Sequence, residues 1–349
     1  MTIIISDTDD LDMKTKDQLG IKEALDIKSD LLRKAYPQVK FYNGTVQAYI
    51  TTWNPATNKD RVAQINGIPS INTTWLTKVR KTKCSIVPRL LFEDWDINEL
   101  KNMANRNGFR RVSKLISKFV DKYKFNGIII EVHPLLPKLF YTELREFLHI
   151  LHQLLSANNS GVLGIVYSVQ FNWKQESLYN IAEVVDFFTV NAYDQLSEGG
   201  IAPYQWMENL IKSIPQDIRK QFLVGINFYG YTFKGDRNAD AITGPDFIRW
   251  LNAEPNIVVN WNPNTKEHWF QAGTKVVIYP TATSFYYRLK IIDNLNAGGI
   301  AIWELGQVRT CSAMSLAYTS SACLNVYIKP IIHMNRSLLF EAALQQLTR

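Results

Sequence analysis

The chain has 349 residues, 46% of them hydrophobic, which is enough for one large domain with a sizeable core. Its formal net charge is +7. The densest basic run, Lys78 to Lys83, has no interleaved aromatic residues and is typical of a solvated helix face. No nucleic-acid partner is therefore expected. Three cysteines are too few for a disulfide framework, and no apolar run is long enough to span a membrane.

The N-terminal segment, residues 1–40, is charged and is interpreted as an extension without chemistry. Its helical pattern runs from Ile21 to Ala35. Thr2 to Ile5 precede acidic residues and form neither a basic n-region nor a full apolar h-region, so the sequence predicts no signal peptide.

Residues 41–307 alternate short apolar runs with helical segments, the pattern of a parallel sheet with right-handed crossovers. The sequence therefore predicts an α/β fold, a (β/α)8 TIM-type barrel. A clear second strand is lacking, and Asp60 to Ile65 is the one candidate in the gap between Trp53 and Cys84. The seven predicted strands are Val46–Trp53, Ser85–Phe92, Gly127–His133, Leu163–Gln170, Phe187–Asp194, Phe222–Gly230 and Gly299–Gln307.

Residues 231–298 are too many for a simple connection between two barrel strands. Three apolar runs within them, Val258–Trp261, His268–Gln271 and Lys275–Tyr279, predict a small α+β insertion before the last strand. The tail at 308–349 has a helical pattern only at Ser337 to Leu347, and its role is left open.

The strand that begins at Gly127 ends in polar residues. Side chains alternate along a strand, so Ile129, Glu131 and His133 share one face. Barrel enzymes keep their chemistry at the carboxyl ends of the strands. The sequence therefore predicts a functional site at Glu131 and His133.

This stretch resembles the motif D-G-x-D-x-D-x-E of the family 18 glycoside hydrolases and their chitinase-like relatives. In that family the motif lies on the fourth barrel strand, and its final Glu protonates the glycosidic oxygen. Aligned without gaps, the three Asp positions are occupied by Asn126, Ile129 and Glu131, and His133 replaces the acid. The resemblance therefore implies a sugar cleft that has lost its proton donor.

Several further stretches resemble one chitinase-like branch of that family, the branch of chitinase domain-containing protein 1. Members of that branch likewise have a Glu at the place of Glu131 and lack the family acid. The branch implies a secreted or lysosomal protein that binds saccharide, with a receptor or sorting protein as a further partner and no cofactor. The matching stretches are Ala48–Asn54, Ile86–Trp95, Gly225–Gly230 and Ile302–Gln307.

Other residues could line the same cleft. The family resemblance gives Tyr193 and Asp194 a contact with the N-acetyl group, although Asp194 could instead cap the next helix. Trp303 matches the Trp at the floor of the sugar site, and its position near a strand end favours stacking over core packing. Tyr49 could line the pocket or pack in the core, and Trp95 follows a strand on the loop side, where it could bind the sugar.

These features favour a chitinase-like protein that binds chitin or N-acetylglucosamine oligomers without hydrolysing them. Two alternatives stay open: a weak glycosidase that uses Glu131 as its acid, and a barrel-derived interaction module. His149 and His152 lie three apart on a predicted helix, but no carboxylate or cysteine completes a metal set. Neither a metal nor a cofactor is therefore expected.

Overall fold

The computed structural model describes 14 segments of the chain, which are residues 2–6, 40–43, 47–51, 64–66, 73–81, 85–92, 106–131, 141–158, 161–167, 169, 173–196, 200–235, 238–253 and 257–303. Its strands are β1 (Thr2–Ser6), β2 (Lys40–Asn43), β3 (Gln47–Thr51), β4 (Gln64–Asn66), β5 (Ser85–Ile86), β6 (Arg89–Phe92), β7 (Gly127–Glu131), β8 (Val162–Tyr167), β9 (Phe187–Val190), β10 (Phe222–Asn227), β11 (Gly230–Lys234), β12 (Asn238–Ile242), β13 (Asn260–Asn262), β14 (Glu267–Ala272), β15 (Lys275–Tyr279) and β16 (Gly299–Trp303). Its helices are α1 (Thr73–Lys81), α2 (Arg106–Lys122), α3 (Tyr141–Ala157), α4 (Gln175–Ala182), α5 (Tyr204–Ser213), α6 (Gly244–Ala253) and α7 (Ala282–Asn294).

The large sheet is a TIM-type barrel sheet, and every pairing in it is parallel except that of β3 with β4. Its order is β4-β3-β6-β7-β8-β9-β10-β16-β1-β2-β5, so backbone pairing among the described strands does not close the ring. Only Val87 and Pro88 separate β5 from β6, and β2 and β3 are also close in the chain. Counting each interrupted strand once gives eight parallel strands around an α/β barrel. The predicted fold class is confirmed.

The strand that sequence reasoning could not find lies at the N-terminus. Thr2–Ser6 pairs in parallel with β16 on one side and β2 on the other, so these five residues belong to the sheet although they fall within the predicted extension 1–40. The candidate at Asp60 to Ile65 overlaps β4, which is antiparallel to β3 and lies at the end of the sheet order. With β1 counted, β7 is the fourth parallel strand.

Alternation along the strands separates two apolar layers. Side chains on one face point into the barrel, where Val87, Ile129, Phe187 and Leu223 pack together and each is at most 4% exposed. On the other face, Ile128 and Ile130 join the larger core beneath the helices. The inner face predicted for β7 is therefore observed at Ile129.

Two strands are each preceded by a polar residue whose side chain accepts a hydrogen bond from the backbone of a neighbouring strand. Asn126 precedes β7, and its side-chain oxygen accepts from the backbone N–H of Ile86 at 2.8 Å. Asp186 precedes β9 and accepts from the N–H of Leu163 at 2.7 Å. Next to Asn126, Gly127 lies so close to β8 that an added Cβ would be 1.9 Å from the Val162 carbonyl oxygen. Asn126 and Gly127 therefore fix the register of β7.

The predicted insertion is a five-stranded antiparallel sheet in the order β12-β11-β15-β14-β13, with α6 packed on it. The three predicted strands of this sheet correspond to β13, β14 and β15, while β11 and β12 were not predicted. The tail at 308–349 and all three cysteines lie outside the described residues. In the part of the chain that is described, each helix is too short or too polar to cross a membrane.

A buried ion pair joins the insertion to the barrel. Arg288 on α7 pairs with Glu267 on β14, and the two side chains are 2% and 1% exposed. Glu267 also accepts from the backbone N–H of Ile201 at 2.7 Å, in the loop after β9. Arg288 donates to the Asn227 side-chain oxygen at 3.2 Å, at the end of β10. Four elements therefore meet at one charged contact.

Removing one partner of this pair should destabilise the whole domain. We expect Glu267→Ala to lower the free energy of unfolding by about 3–5 kcal/mol, because Arg288 would keep an uncompensated buried charge. Chemical denaturation monitored by circular dichroism measures this loss.

Glu183→Ala is the matched control. It breaks an exposed pair with Arg145, whose atoms lie 3.0 Å apart, and should cost less than about 1 kcal/mol. Equal losses of unfolding free energy in the two variants would show that the buried pair stabilises the domain no more than the exposed pair does.

Candidate functional site

The candidate site lies where β7, β9, β10 and β16 end, at the carboxyl-terminal mouth of the barrel. These ends carry the polar side chains that follow the apolar inner layer. Two residues beyond Ile129 is Glu131, and two residues beyond Ala301 is Trp303. Strand alternation therefore puts both side chains on the inner face, one step above the apolar layer.

Arg89 connects Glu131 to Trp303. Its Nε atom donates to the Glu131 Oε2 atom, and its Cζ atom lies 5.0 Å from the centre of the Trp303 ring. The side chains of Arg89 and Glu131 are 22% and 21% exposed, so the ion pair is only partly in contact with solvent. One guanidinium thus makes a charge-assisted hydrogen bond and a cation–π contact.

The guanidinium approaches the other two side chains from the interior of the barrel. Arg89 pairs in register with Ile129, one alternation step deeper than Glu131. Val87, two residues before Arg89, is fully buried in the inner apolar layer. Arg89 therefore lies between the apolar interior and the polar mouth.

A second group of polar residues surrounds Asp194, just after β9. The hydroxyl of Tyr229 donates to Asp194 Oδ1 at 2.5 Å, and that of Tyr231 donates to the same atom at 2.9 Å. Asp194 has a φ of 63°, in the left-handed region that Asp tolerates better than most residues. The Asp194 carboxylate is therefore held by two tyrosines that follow β10 in the chain.

The two tyrosines remain protonated over the neutral range. The pKa of Tyr231 is raised to about 12, mainly by burial and also by the hydrogen bond to Asp194 and the charge of that carboxylate. Burial also raises the pKa of Tyr229, again with support from Asp194. Both hydroxyls can therefore act as hydrogen-bond donors at physiological pH.

Tyr193 belongs to the same group. Its ring meets that of Tyr229 edge-on, with centroids 6.2 Å apart, and its hydroxyl donates to the Asn191 side-chain oxygen at 3.2 Å. An added Cβ on Gly225 would lie 2.8 Å from the Tyr193 ring. Because Gly225 on β10 has no side chain, the Tyr193 ring can pack at this position.

The described contacts gather four predicted residues into two groups, Glu131 with Trp303 and Tyr193 with Asp194. The interpretation of Asp194 as a helix cap is wrong, because α5 follows Pro203 and has no side-chain cap. Tyr49 lies on β3, where its backbone is in register with Leu91 of β6. His133 and Trp95 lie outside the described residues.

Sequence reasoning missed the residues that hold each group together. Arg89 had a local signal, because it is a charged residue within the predicted strand Ser85–Phe92, two positions after the apolar Val87. Tyr229 and Tyr231 had no comparable signal, since Asp194 lies 35 and 37 residues earlier in the chain.

The two histidines on α3 contact different side chains. His149 contacts the Gln153 side chain at 3.0 Å, and His152 lies 3.9 Å from Asp186. Over the described segments, no group of three His, Cys, Asp or Glu residues is arranged to hold a metal ion.

Solved structures with this fold include chitinases and related proteins. A chitinase from Chromobacterium violaceum ATCC 12472 shares 16% identity over 90% of this chain and 99% of its own, with a TM-score of 0.66. YKL-39, solved in the presence of chitooligosaccharides, shares 12% identity over 95% and 100%, with a TM-score of 0.67. The spore cortex-lytic enzyme SleL of Bacillus megaterium QM B1551 shares 14% over 87% and 70%, with a TM-score of 0.64. At these identities the similarity shows the fold alone.

The sequence also matches a protein family over the barrel. The model of the glycosyl hydrolases family 18 matches residues 95–307, which include β7, β9, β10, β16 and the insertion. The match covers more than half of the 349 residues and contains both groups of site residues. The chain therefore belongs to glycosyl hydrolase family 18.

Proposed function

We propose that this protein binds chitin-like oligosaccharides at the mouth of the barrel and does not hydrolyse them. The observation that carries the proposal is that Glu131, on the strand that holds the family motif, forms an ion pair with Arg89. A carboxylate in an ion pair accepts hydrogen bonds and has no proton to give to a leaving oxygen.

The other acid positions of the motif support the same conclusion. Ile129 occupies the second acid position and is 3% exposed within the apolar interior, where a carboxylate would be costly to bury. His133 occupies the position of the proton donor. The motif therefore lacks its proton donor and one of the carboxylates that would tune it.

The remaining side chains suit a sugar. Trp303 offers an indole ring of the kind that stacks on sugar faces, and the Asp194 group offers a carboxylate beside two hydroxyls for polar contacts. YKL-39, which has the same fold, was crystallised with an oligomer of N-acetylglucosamine. These features together favour a chito-oligosaccharide as the ligand.

Hydrolysis by Glu131 is the competing candidate, because this carboxylate is partly exposed in the mouth of the barrel. It would require Arg89 to leave and the carboxyl to take up a proton. We favour binding because Glu131 forms an ion pair with Arg89.

The resemblance to the branch of chitinase domain-containing protein 1 suggests a cellular location and a second binding partner. On this basis we propose a secreted or lysosomal location and a receptor or sorting protein as a second partner. The exposed Asn158 begins an N-glycosylation sequon at the end of α3, as a secretory route would allow.

Binding should depend on Trp303. We expect calorimetry with chitotetraose to give a measurable dissociation constant for the native protein, and Trp303→Leu to weaken it by about 2- to 10-fold through lost stacking. Trp250→Leu is the control, because Trp250 lies on α6 in the insertion and contacts Lys275. No detectable binding of millimolar chitotetraose to the native protein would overturn the proposal.

Turnover distinguishes binding from hydrolysis. The native protein should release no fluorophore from a fluorogenic N-acetylglucosamine oligomer, because the motif strand supplies no free proton donor. Glu131→Gln should give the same flat trace. Turnover by the native protein that disappears in Glu131→Gln would instead establish Glu131 as a catalytic acid.

The proposed location predicts an N-linked glycan at Asn158. Cells expressing the protein from its own gene should yield it in the secretory or lysosomal fraction. Enzymatic removal of N-glycans should reduce its mass, and Asn158→Gln should reduce that shift. A cytosolic protein without a glycan would contradict the proposed location.

A further inference from the structure

Arg89 is a charged side chain on the inner face of a barrel strand, a place usually filled by apolar residues. It follows Val87 on that face and pairs in register with Ile129, and both neighbours are buried in the apolar interior. The family motif lies on β7, so Arg89 on β6 has no place in it.

We infer that Arg89 is the positioning residue of the saccharide site, holding Glu131 as a fixed acceptor and supporting Trp303 from the barrel side. The inference rests on the proposed function. Arg89 sets the geometry of the surface on which the sugar binds.

The side chain of Arg89 restrains two groups on different strands. Its Nε donates to Glu131 on β7, while its planar guanidinium lies 5.0 Å from the ring centre of Trp303 on β16. A guanidinium can do both because its edge carries the donors while its flat face is free to lie against an aromatic ring. A lysine ammonium is a point charge without a flat face, so it could keep the ion pair and lose the stacking.

The burial of the pair makes this restraint strong. Both side chains are about one fifth exposed, so the charges are largely shielded from water and ions. Removing Arg89 would leave Glu131 without its counter-charge beside the apolar interior and would leave one side of Trp303 without its partner. Both groups would then lose their fixed orientation.

A set of variants separates this role from a general effect on stability. Arg89→Gln removes the charge, Arg89→Lys keeps it, and Glu131→Gln and the double variant Arg89→Gln/Glu131→Gln complete a mutant cycle. Arg145→Gln is the matched control, because it breaks an exposed Arg–Glu pair on the outer helices. Thermal melts identify which variants fold.

The first measurement is the dissociation constant for chitotetraose. We expect Arg89→Gln to weaken binding by about 10-fold and Arg89→Lys by about 3-fold, with Arg145→Gln unchanged. Because the two residues act as one unit, the double variant should bind within about twofold of Arg89→Gln. Affinities of Arg89→Gln and Arg89→Lys within twofold of the native value would overturn the inference.

The second measurement needs no ligand. Subtracting the emission of a Trp303→Phe protein isolates the fluorescence of Trp303, and acrylamide quenching reports how accessible that ring is. Trp303 should become more accessible in Arg89→Gln and in Arg89→Lys, and stay unchanged in Arg145→Gln. Unchanged quenching in both Arg89 variants would overturn the inference.

The two measurements also separate this inference from the proposed function. If the native protein binds no chitotetraose, the proposed function fails, and the quenching of Trp303 still decides whether Arg89 supports that ring. If Arg89→Gln does not fold, Arg89→Lys carries both comparisons.

Discussion

The mouth of the barrel depends on the buried pair of Arg288 and Glu267. Burial lowers the pKa of the Arg288 guanidinium, and the charge and hydrogen bond of Glu267 oppose that shift. Two charges without water are stable only when their remaining donors and acceptors are satisfied. Here Glu267 accepts from Ile201, and Arg288 donates to Asn227, so the pair holds the loop after β9 and the end of β10 together with the insertion.

Further hydrogen bonds run from this contact to the site residues and fix their positions. The Asn227 side chain donates to the Tyr229 carbonyl oxygen at 2.8 Å, and Tyr229 in turn donates to Asp194. Tyr279 on β15 donates to the Phe228 carbonyl oxygen at 3.0 Å, so the insertion also holds the backbone beside Tyr229. Helix α7, which carries Arg288, leads directly into β16 and Trp303. One buried arginine thus organises the Asp194 side of the mouth, and Arg89 organises the Glu131 side.

Sequence patterns were sufficient where the structure is set by local periodicity. The alternation on β7 correctly put Ile129 on the inner face with Glu131, and apolar runs located seven of the parallel strands. The strand Thr2–Ser6 was missed because its partners, β2 and β16, lie about 40 and 300 residues away in the chain. The partners of Glu131 and Asp194 were missed for the same reason: Arg89 lies 42 residues from Glu131, and Tyr229 lies 35 residues from Asp194. Strand β12 was missed because the sequence Asn238–Ile242 has little apolar character of its own.

The changes on the motif strand are physically consistent with one another. Because Ile129 lies in the apolar interior, the motif position two residues before Glu131 offers no carboxylate with which Glu131 could share a proton. An unpaired charge at that depth would be costly, and Arg89 supplies the opposite charge from the neighbouring strand. The same guanidinium lies against Trp303, which ties the electrostatics of Glu131 to the shape of the ring. Under the proposed function, a cleft arranged in this way offers the sugar an indole ring and fixed hydrogen-bond acceptors, of which Glu131 is one.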